Sequence, residues 1–323
     1  MKALLPKSLL AACALVLSAN AAASDFPSKP IRVVIPFPPG GVVDTIIRSI
    51  GPGLARELGQ PVIVDNRPGG GAQIAASAIK QSPADGYTVF AGEMGALAIN
   101  PTLYKNISYN PATDFEPVAA LLKAPLVLYG NPAGKIRSEQ TLRSALAGST
   151  DVNYASMGPG TGPHILGHLL SRNNPRARLT HIPYKGAPAA TMAVLSNEVD
   201  INFDAVPTVL NLYRASKVVP LGIAADKRSP FFPDVPTMAE LGQPGVVMDI
   251  WVGVEVKRGT PPAVVAKLAN AFNKAMDDPG VLSKFTELGY DRFHMSREDF
   301  GQFIKTEIDR YRPIIIESGA SVE

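Results

Sequence analysis

The stretch that decides the fold is residues 31–54, which read IRVVIPFPPGGVVDTIIRSIGPGL. The β-branched start predicts a strand, Pro38 to Gly41 a turn, and the apolar residues that follow at intervals of three and four a helix. The same order returns at residues 61–80, where PVIVD precedes a glycine turn and an apolar-faced helix. Strands that alternate with helices across short Gly/Pro loops are typical of a parallel sheet covered on both faces. The sequence therefore predicts an α/β fold.

A second unit with the same order of strand, glycine turn and helix begins near residue 152. The long apolar run 117–129 leads into it and predicts a crossing between units, while residues 251–256 predict a return strand. We therefore expect two domains, one formed by residues 24–124 with 249–323 and the other by residues 125–248.

The composition is that of a folded chain. Of the 323 residues, 46% are hydrophobic and 18% are charged, so a disordered or acidic-tail protein is excluded. Lys and Arg number 31 against 28 Asp and Glu, and no concentrated basic stripe is present. This charge pattern argues against a nucleic-acid partner.

The N-terminus has the pattern of a secretory signal peptide. Lys2 and Lys7 supply positive charge, and residues 8–17 are largely apolar. The alanines of 19–23 then provide the small residues of a cleavage site. This order predicts a cleavable signal peptide at residues 1–23 and a mature protein in the periplasm.

The only cysteine, Cys13, lies inside that leader, so the mature chain is expected to be stable without disulfides. Residues 10–13 (LAAC) also resemble the processing site of a lipoprotein. Cleavage there would leave a very short apolar region and a hydrophobic mature start, which favours soluble secretion.

Three glycine-rich turns that lead into predicted helices are the strongest candidates for a binding site. They are Gly40-Gly41, Gly69-Gly70-Gly71 and, in the second unit, residues 156–162 (SMGPGTG). Glycine lets a turn point its N–H groups outward, and the start of the next helix adds partial positive charge, so such turns can hold an anion. Glycines can also occur at such positions simply because the turns are tight. The repetition of three glycine-rich turns, each before a predicted helix, favours a site at the sheet edge that holds a carboxylate.

The sequence gives little support for nucleotide binding, for a common class of enzyme or for metal binding. The third turn reads G-x-G-x-G, which is not the dinucleotide spacing, and the common enzyme signatures are absent. His164 and His168 stand four residues apart, but no adjacent Glu or Cys completes a set of metal ligands. We therefore expect neither a metal nor a cofactor, and His164 is more suited to donating a hydrogen bond into a cleft.

A series of short segments spread over the whole mature sequence carries a family resemblance. These segments are Pro27 to Ile31, Pro36 to Gly41 with Asp44, Val64 to Gly71, Ala98 to Pro101, Pro183 to Gly186, Val199-Asp200 with Phe203-Asp204, Lys227 to Pro230, Asp234 to Thr237 and Gly259 to Pro261. In them the chain resembles the Bug-type solute receptors of tripartite tricarboxylate transporters. The resemblance implies a type II-like periplasmic binding protein with two α/β domains, each a mixed sheet flanked by helices, and a ligand cleft between them.

The resemblance further implies a function without catalysis. A receptor of this kind captures a small organic carboxylate, such as a dicarboxylate, an aromatic carboxylate or an amino acid, and delivers it to a two-subunit membrane permease. Two alternatives stay open, a periplasmic carboxylate sensor that acts on a sensor kinase and a secreted α/β enzyme. The enzyme would need a reactive Ser or His with a partner that sequence alone does not place.

In the family, backbone groups of the first two glycine turns hold the carboxylate, partly through bridging waters, and the second domain closes with a helix start. The corresponding positions, with the end of the third strand added, are Phe37, Pro38, Gly40, Gly41, Val42, Asn66, Gly69, Gly70, Gly71, Glu93, Met94, Gly95, Ser156, Met157, Gly158, Thr161, Gly162, His164, Phe203 and Asp204. Residues 93–96 (EMGA) stand where the family commonly has small polar residues. The resemblance therefore does not identify the ligand.

Several of these positions have a second, structural interpretation. Asp204 would repel an anion and is more suited to bracing the residues that follow it. Phe37 and Phe203 either stack on a ligand or belong to the core. Glu93 either lines the site or points to solvent, and Trp251 either walls the cleft or packs in the core.

Overall fold

The computed structural model describes residues 26–323, so the predicted signal peptide, including Cys13, lies outside the described residues. The strands are β1 (Ile31–Ile35), β2 (Val62–Asn66), β3 (Thr88–Glu93), β4 (Phe115–Gly130), β5 (Asp151–Ser156), β6 (Arg178–Pro183), β7 (Ile201–Ala205), β8 (Val219–Ile223), β9 (Asp249–Lys257) and β10 (Asp291–Arg292). The α-helices are α1 (Val42–Leu58), α2 (Gln73–Gln81), α3 (Asn100–Leu103), α4 (Pro111–Asp114), α5 (Glu139–Leu146), α6 (Gly162–Asn173), α7 (Ala187–Leu195), α8 (Val206–Arg214), α9 (Pro262–Met276), α10 (Pro279–Glu287) and α11 (Arg297–Glu317).

The strands form one curled, mixed sheet in the order β2-β1-β3-β9-β4-β7-β5-β6, with β8 and β10 also paired to β4. Strands β1, β2 and β3 are parallel to one another, as are β5, β6 and β7. Strands β9 and β4 run antiparallel to their neighbours in the middle of the sheet.

Strand β4 passes through both halves of the sheet. Residues 115–125 pair with β9, whereas residues 126–130 pair with β7 on one side and β8 on the other. The chain therefore forms two α/β domains, each a mixed sheet flanked by helices, and the predicted fold class is confirmed.

Helix α1 shows why the decisive stretch folds as predicted. Its apolar residues at positions 43, 46, 47, 50 and 54 are buried on one face, and each such side chain contributes about 1.5–3 kcal/mol when fully removed from water. The helix ends at Gly59, whose φ of 69° is a left-handed conformation that glycine adopts without steric cost. Among the described residues, no helix has both the length and the apolar character required to cross a lipid bilayer.

Candidate functional site

A cavity of about 520 Å³ lies where the two domains meet, within the size range typical of small-molecule sites. From the first domain it is lined by residues of the segments 36–37, 69–72 and 93–104, and from the second by residues 157–163. Leu126 of β4, Ile250 of β9 and Val322 near the C-terminus complete the wall.

The wall of this cavity is nearly free of charge. Among the described residues that line it, Glu93 is the only Asp, Glu, Lys, Arg or His. Backbone groups, the amide of Asn100 and the hydroxyls of Tyr104 and Thr161 supply the remaining polarity. A bound anion would therefore have to be held by N–H and O–H donors and by helix termini, not by a cationic side chain.

The second glycine turn is held in an unusual backbone conformation. Four successive residues, Gly69, Gly70, Gly71 and Ala72, have φ values of 117°, 57°, 60° and 72°, which three glycines make possible. The Gly71 carbonyl accepts a hydrogen bond of 3.0 Å from the side chain of Asn100. A Cβ atom on Gly71 would lie 2.3 Å from Cζ of Tyr104, so this turn and the tyrosine are in direct contact across the wall.

The third glycine turn brings the start of α6 to the cavity. Thr161 is the N-cap residue, but its side chain makes no capping hydrogen bond. Its hydroxyl donates to the Gly158 carbonyl at 2.7 Å. Gly162 and Pro163, the first residues of α6, line the cavity. The N-terminus of α6, with its partial positive charge, is thus presented to the cavity without a capping side chain.

Ser156 and two histidines support that turn from behind. The Ser156 hydroxyl lies 2.6 Å from Nε2 of His181, whose ring stacks on His164 at 4.1 Å. His164 accepts a hydrogen bond from the Gly160 N–H at Nδ1. Burial, with smaller contributions from the neighbouring histidines, lowers the pKa of His164 to about 4, and burial also lowers the pKa of His181. Both rings are therefore neutral near pH 7 and add no positive charge to the site.

The first glycine turn binds a carboxylate of the chain itself. Asp44, buried in the first turn of α1, accepts hydrogen bonds from the Gly40 N–H and from Nε of Arg48, both at 2.9 Å. The hydrogen bond from Arg48 is the main cause that lowers the pKa of Asp44. Asn66 donates to the Phe37 carbonyl at 3.1 Å, which fixes the preceding strand end. Phe37 lines the cavity, whereas residues 38–41 of the turn do not.

Phe203 and Asp204 lie on β7, away from the cavity lining. Phe203 is buried in the core, and the Asp204 carboxylate accepts a hydrogen bond of 2.7 Å from the N–H of Ala205. Burial raises the pKa of Asp204 to about 6. Trp251 is also a core residue, packed edge-on against Phe300 and Phe303.

The structure brings half of the predicted site residues together in one wall. The lining contains Phe37, Gly69, Gly71, Glu93, Met94, Gly95, Met157, Gly158, Thr161 and Gly162. Outside the lining are Pro38, Gly40, Gly41, Val42, Asn66, Gly70, Ser156, His164, Phe203 and Asp204. Four residues of this second group, Gly40, Asn66, Ser156 and His164, take part in the supporting contacts described above.

Sequence reasoning missed most of the apolar wall. Ile99, Leu103, Tyr104, Leu126 and Ile250 look like ordinary core residues in the sequence. Val322 lines the cavity because its N–H donates to the Leu103 carbonyl at 2.9 Å and its carbonyl accepts from the Lys105 N–H at 3.1 Å. No local sequence pattern predicts this backbone pairing of Val322 with Leu103 and Lys105, which are distant in the chain.

A two-domain α/β fold with a cleft between the domains is the architecture of periplasmic binding proteins, and solved structures agree with it. MatC from Rhodopseudomonas palustris, solved with bound malate, is 32% identical and superposes with a TM-score of 0.77, over 90% of this chain and 100% of that one. Rpa4515 from R. palustris, solved with adipate, is 30% identical with a TM-score of 0.80, over 92% of this chain and 99% of that one.

Sequence comparisons place the chain more narrowly. The protein BugT of Bordetella pertussis is 34% identical over 309 residues, which is 95% of this chain and 94% of BugT. Residues 46–320 match the model of the tripartite tricarboxylate transporter family receptor. The chain therefore belongs to this family of periplasmic solute receptors, and the resemblance inferred from the sequence is confirmed.

Proposed function

We propose that this receptor captures a small organic carboxylate in the cavity between its domains and delivers it to a two-subunit membrane permease. The observation that carries the proposal is the start of α6, which reaches the cavity with no side chain capping it. A helix N-terminus carries about half a positive charge and free N–H groups, which together favour a carboxylate.

The composition of the wall supports the same ligand class. Since no cationic side chain lines the cavity among the described residues, the attraction for an anion comes from backbone donors and hydroxyls, which suit a single small carboxylate better than a polyanion. The bound malate and adipate of the two solved relatives are both carboxylates.

The proposal includes the predicted division of the chain into residues 24–124 with 249–323 and residues 125–248. Strand β4 changes its pairing partners between Pro125 and Leu126, and β9 begins at Asp249. These two positions are where the chain passes between the halves of the sheet, which supports both boundaries. The same two strands would then serve as the hinge on which the domains close.

We infer that the protein is not an enzyme. Among the described residues, the Ser156 hydroxyl pairs with the His181 imidazole near the site, but neither residue lines the cavity and Ser156 is fully buried. A nucleophile must reach its substrate within hydrogen-bond distance, and Ser156 has no such access. The pair instead holds the loop that precedes α6.

The test is a thermal-shift and calorimetry screen against mono-, di-, amino- and aromatic carboxylates, each paired with its neutral amide. A ligand that binds only the folded protein stabilises it by about 2.7 kcal/mol at a hundredfold excess over Kd, so we expect a carboxylate to raise the Tm and its amide to have little effect. Equal shifts with acid and amide, or no shift with any carboxylate, would contradict the proposal. Loss of uptake on deletion of an adjacent permease gene would distinguish transport from sensing.

A further inference from the structure

Glu93 is the only residue with an acidic side chain in the wall of the cavity, and nothing in the described chain neutralises it. It is the last residue of β3, paired through its backbone with Val252 of β9. Its Oε1 atom lies 3.5 Å from the position that a Cβ of Gly95 would occupy, and Gly95 also lines the cavity. The carboxyl group is therefore held at the cavity wall, beside the next residues of the lining.

The environment of this carboxyl group differs from that of Asp44 and Asp204. Asp44 accepts hydrogen bonds from Gly40 and Arg48, and Asp204 accepts one from Ala205. For Glu93, loss of hydration is the one resolved influence, and it raises the pKa to about 7. Among the described residues, neither an ion pair nor a hydrogen bond offsets that loss of hydration. The carboxylate consequently has its hydrogen-bonding capacity free toward the cavity.

The wall around Glu93 sets the charge that a ligand can carry. The start of α6 favours one carboxylate, but a second carboxylate would share a small, poorly hydrated space with Glu93 and with no cationic side chain. Like charges in such a space disfavour each other strongly. An ammonium or hydroxyl group of the ligand would instead donate to the Glu93 carboxylate, and a charge-assisted hydrogen bond of this kind is among the stronger polar contacts.

We propose, on the basis of the receptor function proposed above, that Glu93 determines specificity: the cavity accepts a monocarboxylate that carries a hydrogen-bond donor and rejects fully ionised dicarboxylates. Ile99, Leu103, Met157 and other apolar residues of the wall fit the hydrocarbon frame that would separate the two ends of such a ligand. Amino acids and hydroxy acids satisfy this description equally, because either group donates to a carboxylate.

The test uses ligands that differ only at one end. Titration calorimetry at pH 8 compares four ligands at each chain length of four, five and six carbons: the dicarboxylate, the ω-amino acid, the ω-hydroxy acid and the plain monocarboxylate. A parallel set compares α-amino acids with α-hydroxy acids. At this pH the Glu93 carboxyl is mostly ionised. We expect the tightest amino or hydroxy acid to bind at least tenfold more tightly than the dicarboxylate of the same length, and the ammonium and hydroxyl arms distinguish the two donors.

Two variants separate charge from shape. In Glu93→Gln the dicarboxylate should gain at least tenfold in affinity, while the amino acid should lose tenfold or more, since losing a hydrogen bond to a charged group typically weakens binding by about ten- to a hundredfold. Glu93→Asp keeps the charge and should keep the preference of the wild type. A dicarboxylate that binds the wild type as tightly as any amino or hydroxy acid, or a preference that changes less than threefold in Glu93→Gln, would overturn this specificity while leaving the receptor function intact. Absence of binding by every carboxylate would instead overturn the receptor function itself, and the specificity with it.

Discussion

At the scale of single residues, the binding role proposed for Glu93 is accompanied by a cost in folding stability. Its pKa is raised from 4.5 to about 7 in the folded protein, so the folded state holds this proton more tightly than the unfolded state does. Folding stability therefore decreases as pH rises from about 4.5 through about 7. This cost is present at pH 8 and absent below pH 4.5.

Replacement of Glu93 by Gln should remove that cost. We expect the free energy of unfolding of Glu93→Gln to exceed that of the wild type by about 1–3 kcal/mol at pH 8, since each pKa unit corresponds to about 1.4 kcal/mol, and to match it at pH 4. Urea unfolding at both values measures this. Glu287→Gln, which changes an exposed carboxyl at the end of α10, serves as the control and should show no such pH-dependent gain. Parallel stability profiles for Glu93→Gln and wild type would contradict the expectation.

Gly40 and Gly71 both have a positive φ angle, but different atoms surround them. Gly40 and Gly71 have φ values of 85° and 60°, but a Cβ on Gly40 meets nothing within 4 Å, whereas one on Gly71 overlaps the Tyr104 ring. Alanine at either position should cost about 1 kcal/mol of folding stability through its left-handed conformation. Only Gly71→Ala should also displace Tyr104 from the cavity wall. Calorimetry should therefore show at least a tenfold loss of carboxylate affinity in Gly71→Ala and little loss in Gly40→Ala. Equal affinities would mean that the second turn does not shape the site.

At the scale of elements, local patterns predicted which helices and turns form but not which turn lines the cavity. The Gly40-Gly41 and Gly69 to Gly71 turns look alike in the sequence. They differ in the structure because Asp44, one helical turn beyond Gly40, accepts its N–H, whereas Asn100 and Tyr104 contact the second turn from a distant segment. The place of β9 between β3 and β4 depends on pairings between residues more than 100 positions apart, which local periodicity does not encode.

Helix α6 permits a direct test of the proposed anion site. Thr161→Asp would place a carboxylate at the uncapped N-terminus of α6. It could accept a hydrogen bond from the His164 N–H, since Pro163 has none, and should stabilise the helix by about 1 kcal/mol. The same group would occupy the position proposed for the ligand and repel its charge, so carboxylate affinity should fall at least tenfold. Thr161→Asn caps the helix without the charge and is the matched control, with a smaller loss in calorimetry. Equal affinities in the two variants would place the ligand carboxylate elsewhere.

At the scale of the whole molecule, the described arrangement has the two domains in contact around the cavity. Gly160 of the second domain packs against Leu103 of the first so closely that a Cβ would lie 2.3 Å from its Cδ1 atom. Further from the cavity, Arg172 of α6 forms an ion pair of 3.1 Å with Glu317 of α11. Exposed ion pairs contribute about 0–1 kcal/mol, so this ion pair alone would not hold the domains together.

This contact leads to a prediction about closure. If the domains hinge on β4 and β9, solution scattering should show a smaller radius of gyration when the wild type is saturated with its best carboxylate. In Gly160→Ala the new methyl group would overlap Leu103, which is itself buried, so the domains could reach the described arrangement only if the Leu103 side chain moved.

We expect that variant to lose most of the ligand-induced compaction and at least tenfold in affinity, because binding energy must then displace the Leu103 side chain or leave the cavity open. The left-handed backbone at Gly160, with φ of 74°, adds a stability cost that has nothing to do with closure. Gly186→Ala isolates that cost, since Gly186 has φ of 93° and its added Cβ would approach nothing closer than Pro188 at 3.9 Å. The two variants should therefore lose similar stability in urea, but only Gly186→Ala should still become more compact with ligand. Full compaction in Gly160→Ala would show that closure does not bring this loop against Leu103.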